Sequence, residues 1–217
     1  METTFCRYLS MGAPVTLVDY GMGNLWSVRS ALSYLGYDSV VSCNPSEVER
    51  ADVLILPGVG SFRKAMQALR DSQLDQAILE AVTGKGRKLL GICLGMQLLA
   101  DHGNEDGETA GLGLIPTRVD RFDQTQMGAL KVPHIGFNHV RSETQSVLFQ
   151  GVASPADFYF VHSYRLLANG LSGCHGICNY GQDFLAAYEY ENIFATQFHP
   201  EKSQTNGLRL LRNFLAC

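Results

Sequence analysis

The sequence predicts an α/β fold: an open, mostly parallel central sheet with helices on both faces, plus some antiparallel strands in the second half. Three observations predict it. Short continuous apolar runs (VTLVDY, 15–20; DVLILPG, 52–58; KLLGIC, 88–93) alternate with amphipathic stretches through the first half, and strands apolar along their whole length are those covered on both faces. The first two of these runs lead into Gly-rich or Pro-Gly turns and the third into Cys93-Leu94-Gly95, the punctuation of strand–turn–helix units. Beyond residue 113 the apolar runs follow one another with no helical stretch between them until the last dozen residues, a pattern that suits partly antiparallel strands.

Taken in order, the strand at 15–20 stops at the turn of YGMGN, and NLWSVRSALSYLG (24–36) spaces its apolar residues at helical intervals before a terminating glycine. YGMGNLW has two glycines after a strand, as a dinucleotide site would, but Trp26 stands where the third glycine is needed. A plain strand–helix turn is the better reading. The strand at 52–58 is followed by SFRKAMQALR, a helix with Ser61 at its cap, and by LDQAILEAVTGKG, a second amphipathic helix ending in glycine. KLLGIC is a strand and LGMQLLADH the helix after it; ADHGNEDGETAGLG (100–113) is a polar loop. VDRF, HIGFNHV, DFYFVHSY, GICNY, FLAAYEY and IFATQFH are strands, and QTNGLRLLRNFLA is a closing helix. Residues 14–217 form one domain, preceded by a disordered extension at 1–13 within which Met11 offers a second start.

The 217 residues are 46% hydrophobic and 18% charged, with a net charge of −4 and no basic cluster, so neither a nucleic-acid footprint nor a membrane span is expected. Six cysteines at 6, 43, 93, 174, 178 and 217 form no stapling pattern, which suits a reducing cytoplasm. Cys174-His175-x-x-Cys178 lacks a second ligand pair and reads as ordinary thiols, so no metal or other cofactor is expected.

The chemistry centres on GICLG (91–95). Gly-x-Cys-x-Gly where a buried strand meets a helix is the thiol counterpart of the Gly-x-Ser-x-Gly nucleophile elbow. Glycines on each side let the chain turn sharply, Cys93 projects at the carboxyl end of the sheet, and the Leu94 amide is left to face an oxyanion. Alone, the motif leaves Cys93 equally readable as a packed thiol. A thiolate nucleophile needs an imidazole, and the imidazole an acceptor. FATQFHPEKS (194–203) places His199 and Glu201 two residues apart around the stiff Pro200, able to touch. The chain order Cys, His, Glu differs from that of the α/β-hydrolases, where the acid precedes the histidine. LPGVGSF (56–62) sets Val59 between two glycines, a candidate second oxyanion donor.

PGVGSF, GICLGMQLL and ATQFHPEKS together resemble class I glutamine amidotransferase domains, which use a Cys-His-Glu triad. VDYGMGNLWSVRSAL, VPHIGFNHV and FYFVHSY narrow the resemblance to the glutaminase subunits of imidazole glycerol phosphate synthases, over the chain from about Val15 onward. The resemblance implies hydrolysis of L-glutamine through a thioester on Cys93, with His199 as base and then acid and Glu201 orienting it. It implies Val59 and Leu94 as oxyanion donors, and Gly58, Gly60, Gln97, Ser163 and Tyr164 around the substrate. It further implies a heterodimer with a (β/α)8-barrel cyclase that receives the ammonia, with Asn24, Phe137 and Lys202 at the interface. Phe137 and His139 stand where the family commonly has Trp and Gln. Three alternatives stay open: ammonia supply to amidino-sugar synthesis, a free-standing thiol hydrolase, and a non-catalytic binding relative.

Overall fold

The computed structural model describes residues 13–217; the expected disordered extension, Met11 included, lies outside the described residues except for residue 13. The parallel half of the sheet is built from β1 (Val15–Val18), β2 (Ser39–Ser42), β3 (Val53–Gly58), β4 (Lys88–Cys93) and β13 (Ile193–Thr196), in the order β2-β1-β3-β4-β13. The remainder is mainly antiparallel: β12 (Gln182–Tyr190), β10 (Tyr164–Leu166) and β7 (Ile115–Arg121) continue the row. β11 (Cys174–Tyr180), β8 (His134–Ser142) and β9 (Ala156–His162) branch from β12 as an antiparallel ribbon.

Alternation along the buried strands divides the core in two. Leu54 and Leu56 of β3 face a layer made with Phe62, Met66 and Leu69 of α3 (Phe62–Asp71) and Ile78 of α4 (Leu74–Leu79). Ile55 between them faces Val28 and Leu32 of α1 (Leu25–Tyr34) and Leu210, Leu211 and Phe214 of α6 (Gln204–Ala216). Both faces of the sheet are therefore covered, as continuous apolar strands require. The expected cap is in place, Ser61 Oγ accepting from Lys64 N–H, and Asn24 Oδ1 caps α1 by accepting from Ser27 N–H. The YGMGN segment is the anticipated turn, with Gly21 N–H donating to the Asp19 carboxylate at 2.9 Å.

Four local expectations need correcting. The helix after Cys93 stops at Leu98 (α5, Leu94–Leu98), and Ala100–Gly103 is strand β5, parallel to β7. The carbonyls of Leu98 and Leu99 are taken by amides of the returning chain, Leu112 to the first and Leu114 and Ile115 to the second, each at 2.8 Å. Those long-range bonds replace the i→i−4 bonds that would extend the helix. The supposed loop thus carries β5 and its partner β6 (Thr109–Ala110). The helix after α4 continues as a π-helical turn, Glu80–Gly84. Between residues 37 and 51, where sequence periodicity marks nothing, lie β2, an edge strand with Val40 and Val41 exposed, and α2 (Pro45–Arg50), which starts on the cap Asn44. Finally, β13 ends at Thr196, so His199 sits in extended chain beyond the sheet and not at a strand end.

Candidate active site

Cys93 is the last residue of β4 and directly precedes α5, with φ +56° and ψ −110°, a conformation that L-residues rarely adopt. Strain of this kind needs surroundings that enforce it. Close packing does so: a Cβ on Gly95 would lie 1.7 Å from the Leu56 carbonyl oxygen, and one on Gly91 2.9 Å from that of Gly95. The two glycines of GICLG therefore let α5 fold back against β3 and β4, leaving the thiol at the strand tip.

A cavity of about 310 Å³ opens above it, lined by Cys93, Leu94, Gln97, Val59, Gly60, His162, Ser163, Tyr164 and His199, among others. It lies at the small end of the range for small-molecule sites. Residues more than a hundred positions apart in the chain thus share one wall. Of the positions singled out from sequence, Gly58 does not line the cavity; it is buried in β3 opposite Cys93. Glu201 stands behind His199, its Oε1 2.8 Å from Nδ1, with both side chains almost fully buried. Phe198 anchors this segment by stacking on Phe158 at 4.0 Å.

His199 titrates far from its ordinary value. Burial pulls its pKa down, but the adjacent Cys93 sulfur and the Glu201 carboxylate outweigh it and raise the value to about 10. Its Nε2 is buried without a partner in good hydrogen-bonding geometry, while Cys93 is close enough to act on the ring's charge. The sulfur itself is approached by Gln197 Nε2 at 3.7 Å.

Sequence reasoning left four lining residues unassigned: His162, Glu105, Val161 and Pro133. His162, in FYFVHSY, is the second imidazole of the cavity, and its pKa is pushed down to about 3, chiefly by burial. Its Nδ1 lies 2.8 Å from the Tyr164 carbonyl and its Nε2 3.0 Å from His134 Nδ1. A carbonyl only accepts, so Nδ1 carries the proton and Nε2 accepts from His134. Both nitrogens are engaged, which leaves His199 as the imidazole free to exchange a proton. Glu105, from the stretch read as loop, reaches the cavity while accepting from the Phe62 N–H at 2.8 Å; burial raises its pKa. Val161 lines the mouth. The signal for Glu105 was absent because only the fold brings residue 105 beside residue 62.

Gln97, buried, donates to the Tyr164 carbonyl and to Gln197 Oε1, both at 3.0 Å, fixing the wall that carries Ser163 and Tyr164. Leu94 is the first residue of α5, where an amide has no intrahelical acceptor. Val59 differs: its N–H donates to the Met22 carbonyl at 3.0 Å and so points away from Cys93. Val59 and Val161 of the lining are exposed apolar groups, as are Ile135 and Phe137 of β8, and Trp26 is 78% exposed. Asn24 is spent on its helix cap. Lys202 is exposed and lies over the Tyr159 ring, while His139 pairs with Asp157 at 3.2 Å. Among the described residues no cluster suited to a metal ion occurs, and Cys174 and Cys178 are free thiols.

Comparison with known proteins gives a consistent picture. Residues 16–217 match the family "Glutamine amidotransferase class-I". The chain is 45% identical over 201 residues to the imidazole glycerol phosphate synthase subunit HisH of Moorella thermoacetica, covering 93% of each chain. It is 45% identical over 203 residues to the subunit of the same name from Syntrophotalea carbinolica, covering 92% of this chain and 98% of that one. In fold it resembles the structure of PurLQS from Thermotoga maritima, with a TM-score of 0.73 at 17% identity, covering 95% and 99% of the two chains. No helix among the described residues is long and apolar enough to cross a membrane.

Proposed function

For a chain that belongs to the class I glutamine amidotransferases, we propose the role of its near relatives: the glutaminase subunit of imidazole glycerol phosphate synthase, serving histidine biosynthesis in the cytoplasm, with residues 14–217 as a single amidotransferase domain. The observation that carries this reading is the convergence of Cys93 and the His199–Glu201 pair on one cavity.

The geometry supports a two-step reaction. The Cys93 thiolate adds to the side-chain carboxamide carbon of L-glutamine, and the Leu94 N–H donates to the developing oxyanion. His199, held protonated by its neighbours, gives its proton to the departing ammonia, leaving a γ-glutamyl thioester. The ring then takes a proton from the water that attacks the thioester, and glutamate leaves. Glu201 fixes Nδ1–H and keeps Nε2 toward the sulfur. Gln97, Gly60, Ser163 and Tyr164 position the substrate, and Gly58 shapes the strand beneath. Glu105 is the acidic side chain of the lining, suited to the substrate's α-ammonium. The chemistry needs no cofactor.

Ammonia passes to a (β/α)8-barrel cyclase subunit docked over the cavity mouth and reaching the exposed Phe137, Trp26 and Lys202, with Asn24 in the turn before α1. Phe137, edge-on to Tyr159 at 5.5 Å, offers an aromatic anchor to the partner. The Val59 N–H, tied to Met22, is the second oxyanion donor held in reserve, and binding of the loaded partner turns the Gly58–Val59 peptide inward. Loss of one oxyanion donor costs about 10²–10³-fold in kcat. The isolated chain is therefore expected to hydrolyse glutamine that much more slowly than its complex with the cyclase and its nucleotide substrate, in a coupled glutamate assay. Full activity of the chain alone would point instead to a free-standing hydrolase.

A further inference from the structure

Tyr20, the first residue of the YGMGN turn, is 7% exposed, and its hydroxyl has no hydrogen-bond partner. A buried hydroxyl left unpaired is destabilising, so such groups call for a reason. Burial, and after it the neighbouring Cys93, raises the phenol pKa well above the ordinary tyrosine value. The group is thus a permanent donor with nothing to donate to.

Its position is specific. A Cβ built on Gly58 would lie 2.4 Å from the Tyr20 oxygen, so the hydroxyl occupies the space that any other residue at 58 would fill. Gly58 supplies the carbonyl of the peptide whose N–H, on Val59, is bonded to Met22. Tyr20 and Met22 belong to the same segment, which follows β1, the strand beside β3. When the Val59 N–H turns toward Cys93, the Gly58 carbonyl turns toward that segment. There it meets the Met22 carbonyl, which repels it and loses its own donor. The resting arrangement therefore satisfies Met22 and leaves Tyr20 unpaired beside Gly58, and a turned Gly58 carbonyl needs a new donor nearby.

We propose that Tyr20 is a positioning residue that donates its O–H to the turned Gly58 carbonyl, stabilising the peptide orientation that completes the oxyanion site. The proposal rests on the reading of Val59 as an oxyanion donor. It assigns to the phenol a share in the glutaminase reaction without contact to the substrate.

The test is Tyr20→Phe, which keeps the ring and removes the donor, assayed as the full chain in complex with the cyclase and its nucleotide substrate. Loss of one hydrogen bond in the active orientation corresponds to about a tenfold fall in kcat for glutamine hydrolysis, with KM for glutamine within about twofold. Synthesis from added ammonium salt should match the parent, which shows that the complex assembles. The thermal midpoint of the isolated variant should be equal to or above the parent's, since an unpaired polar group has gone. Introducing 4-aminophenylalanine in place of Tyr20 restores a donor and should recover most of the lost kcat. An undiminished kcat in Tyr20→Phe overturns the proposal. So does a loss of kcat with a lowered thermal midpoint that 4-aminophenylalanine fails to repair, because the ring's packing then explains it. If the parent complex itself shows no glutamine hydrolysis, the functional reading fails, and that outcome is separate from any effect at Tyr20.

Discussion

Cys93→Ala is expected to abolish glutamine-dependent synthesis by the complex, a fall of at least about 10⁴-fold, while synthesis from added ammonia proceeds at the parent rate. Removal of a covalent nucleophile leaves only what binding and the oxyanion site provide. Buried Cys93 is a small side chain, and alanine at this strand tip leaves only a minor void, so the fold and the partner interface persist. Alanine takes up the position's left-handed φ no less readily than cysteine. The same substitution removes one of the two groups that raise the His199 pKa, so a ¹⁵N NMR titration of that ring should show it losing its proton well below pH 10. Loss of both glutamine- and ammonia-dependent synthesis would mean that assembly, and not chemistry, had been damaged.

Glu201→Gln should lower glutamine-dependent kcat by about 10³-fold with a small change in KM, because the amide no longer holds the ring cationic and oriented. The pH dependence of stability gives an independent readout. The folded ring has a pKa of about 10, above its ordinary value of 6.5, so protonation stabilises the native state. That contribution is complete below about pH 6.5 and disappears as pH rises through 10. In the variant the folded pKa drops. Urea denaturation across this range should therefore find the variant least stable relative to the parent near pH 6.5, with the gap closing toward pH 10. A gap that widens with pH would invert the assigned charge state.

The elements that sequence displays are those whose local pattern agrees with their tertiary role. β1, β3 and β4 are predominantly apolar because helices cover both faces, and α3 carries its cap at Ser61. The Cys93 elbow is legible because its Gly-x-Cys-x-Gly pattern is local: Gly91 answers a contact with Gly95 four residues on, although Gly95 answers Leu56 of β3. What stays hidden depends on distant chain. The early end of α5 is imposed by amides of residues 112–115. The exposed edge strand β2 has no buried face to set a period. Glu105 reaches the site only because it caps α3 across the fold, and the outward turn of the Val59 N–H follows from the Met22 carbonyl. The pairing of His134 with His162 likewise needs the register of β8 on β9.

The central claim is that Cys93, and no other thiol, attacks the side-chain carbonyl of glutamine. Incubating the complex with a diazoketone analogue of glutamine and mapping the adduct by peptide mass spectrometry tests it directly. The predicted result is one covalent adduct per chain, on buried Cys93, formed faster when the cyclase is loaded and suppressed by excess glutamine. Labelling of the exposed Cys43 or Cys217 with Cys93 unmodified, or labelling indifferent to glutamine, would contradict it.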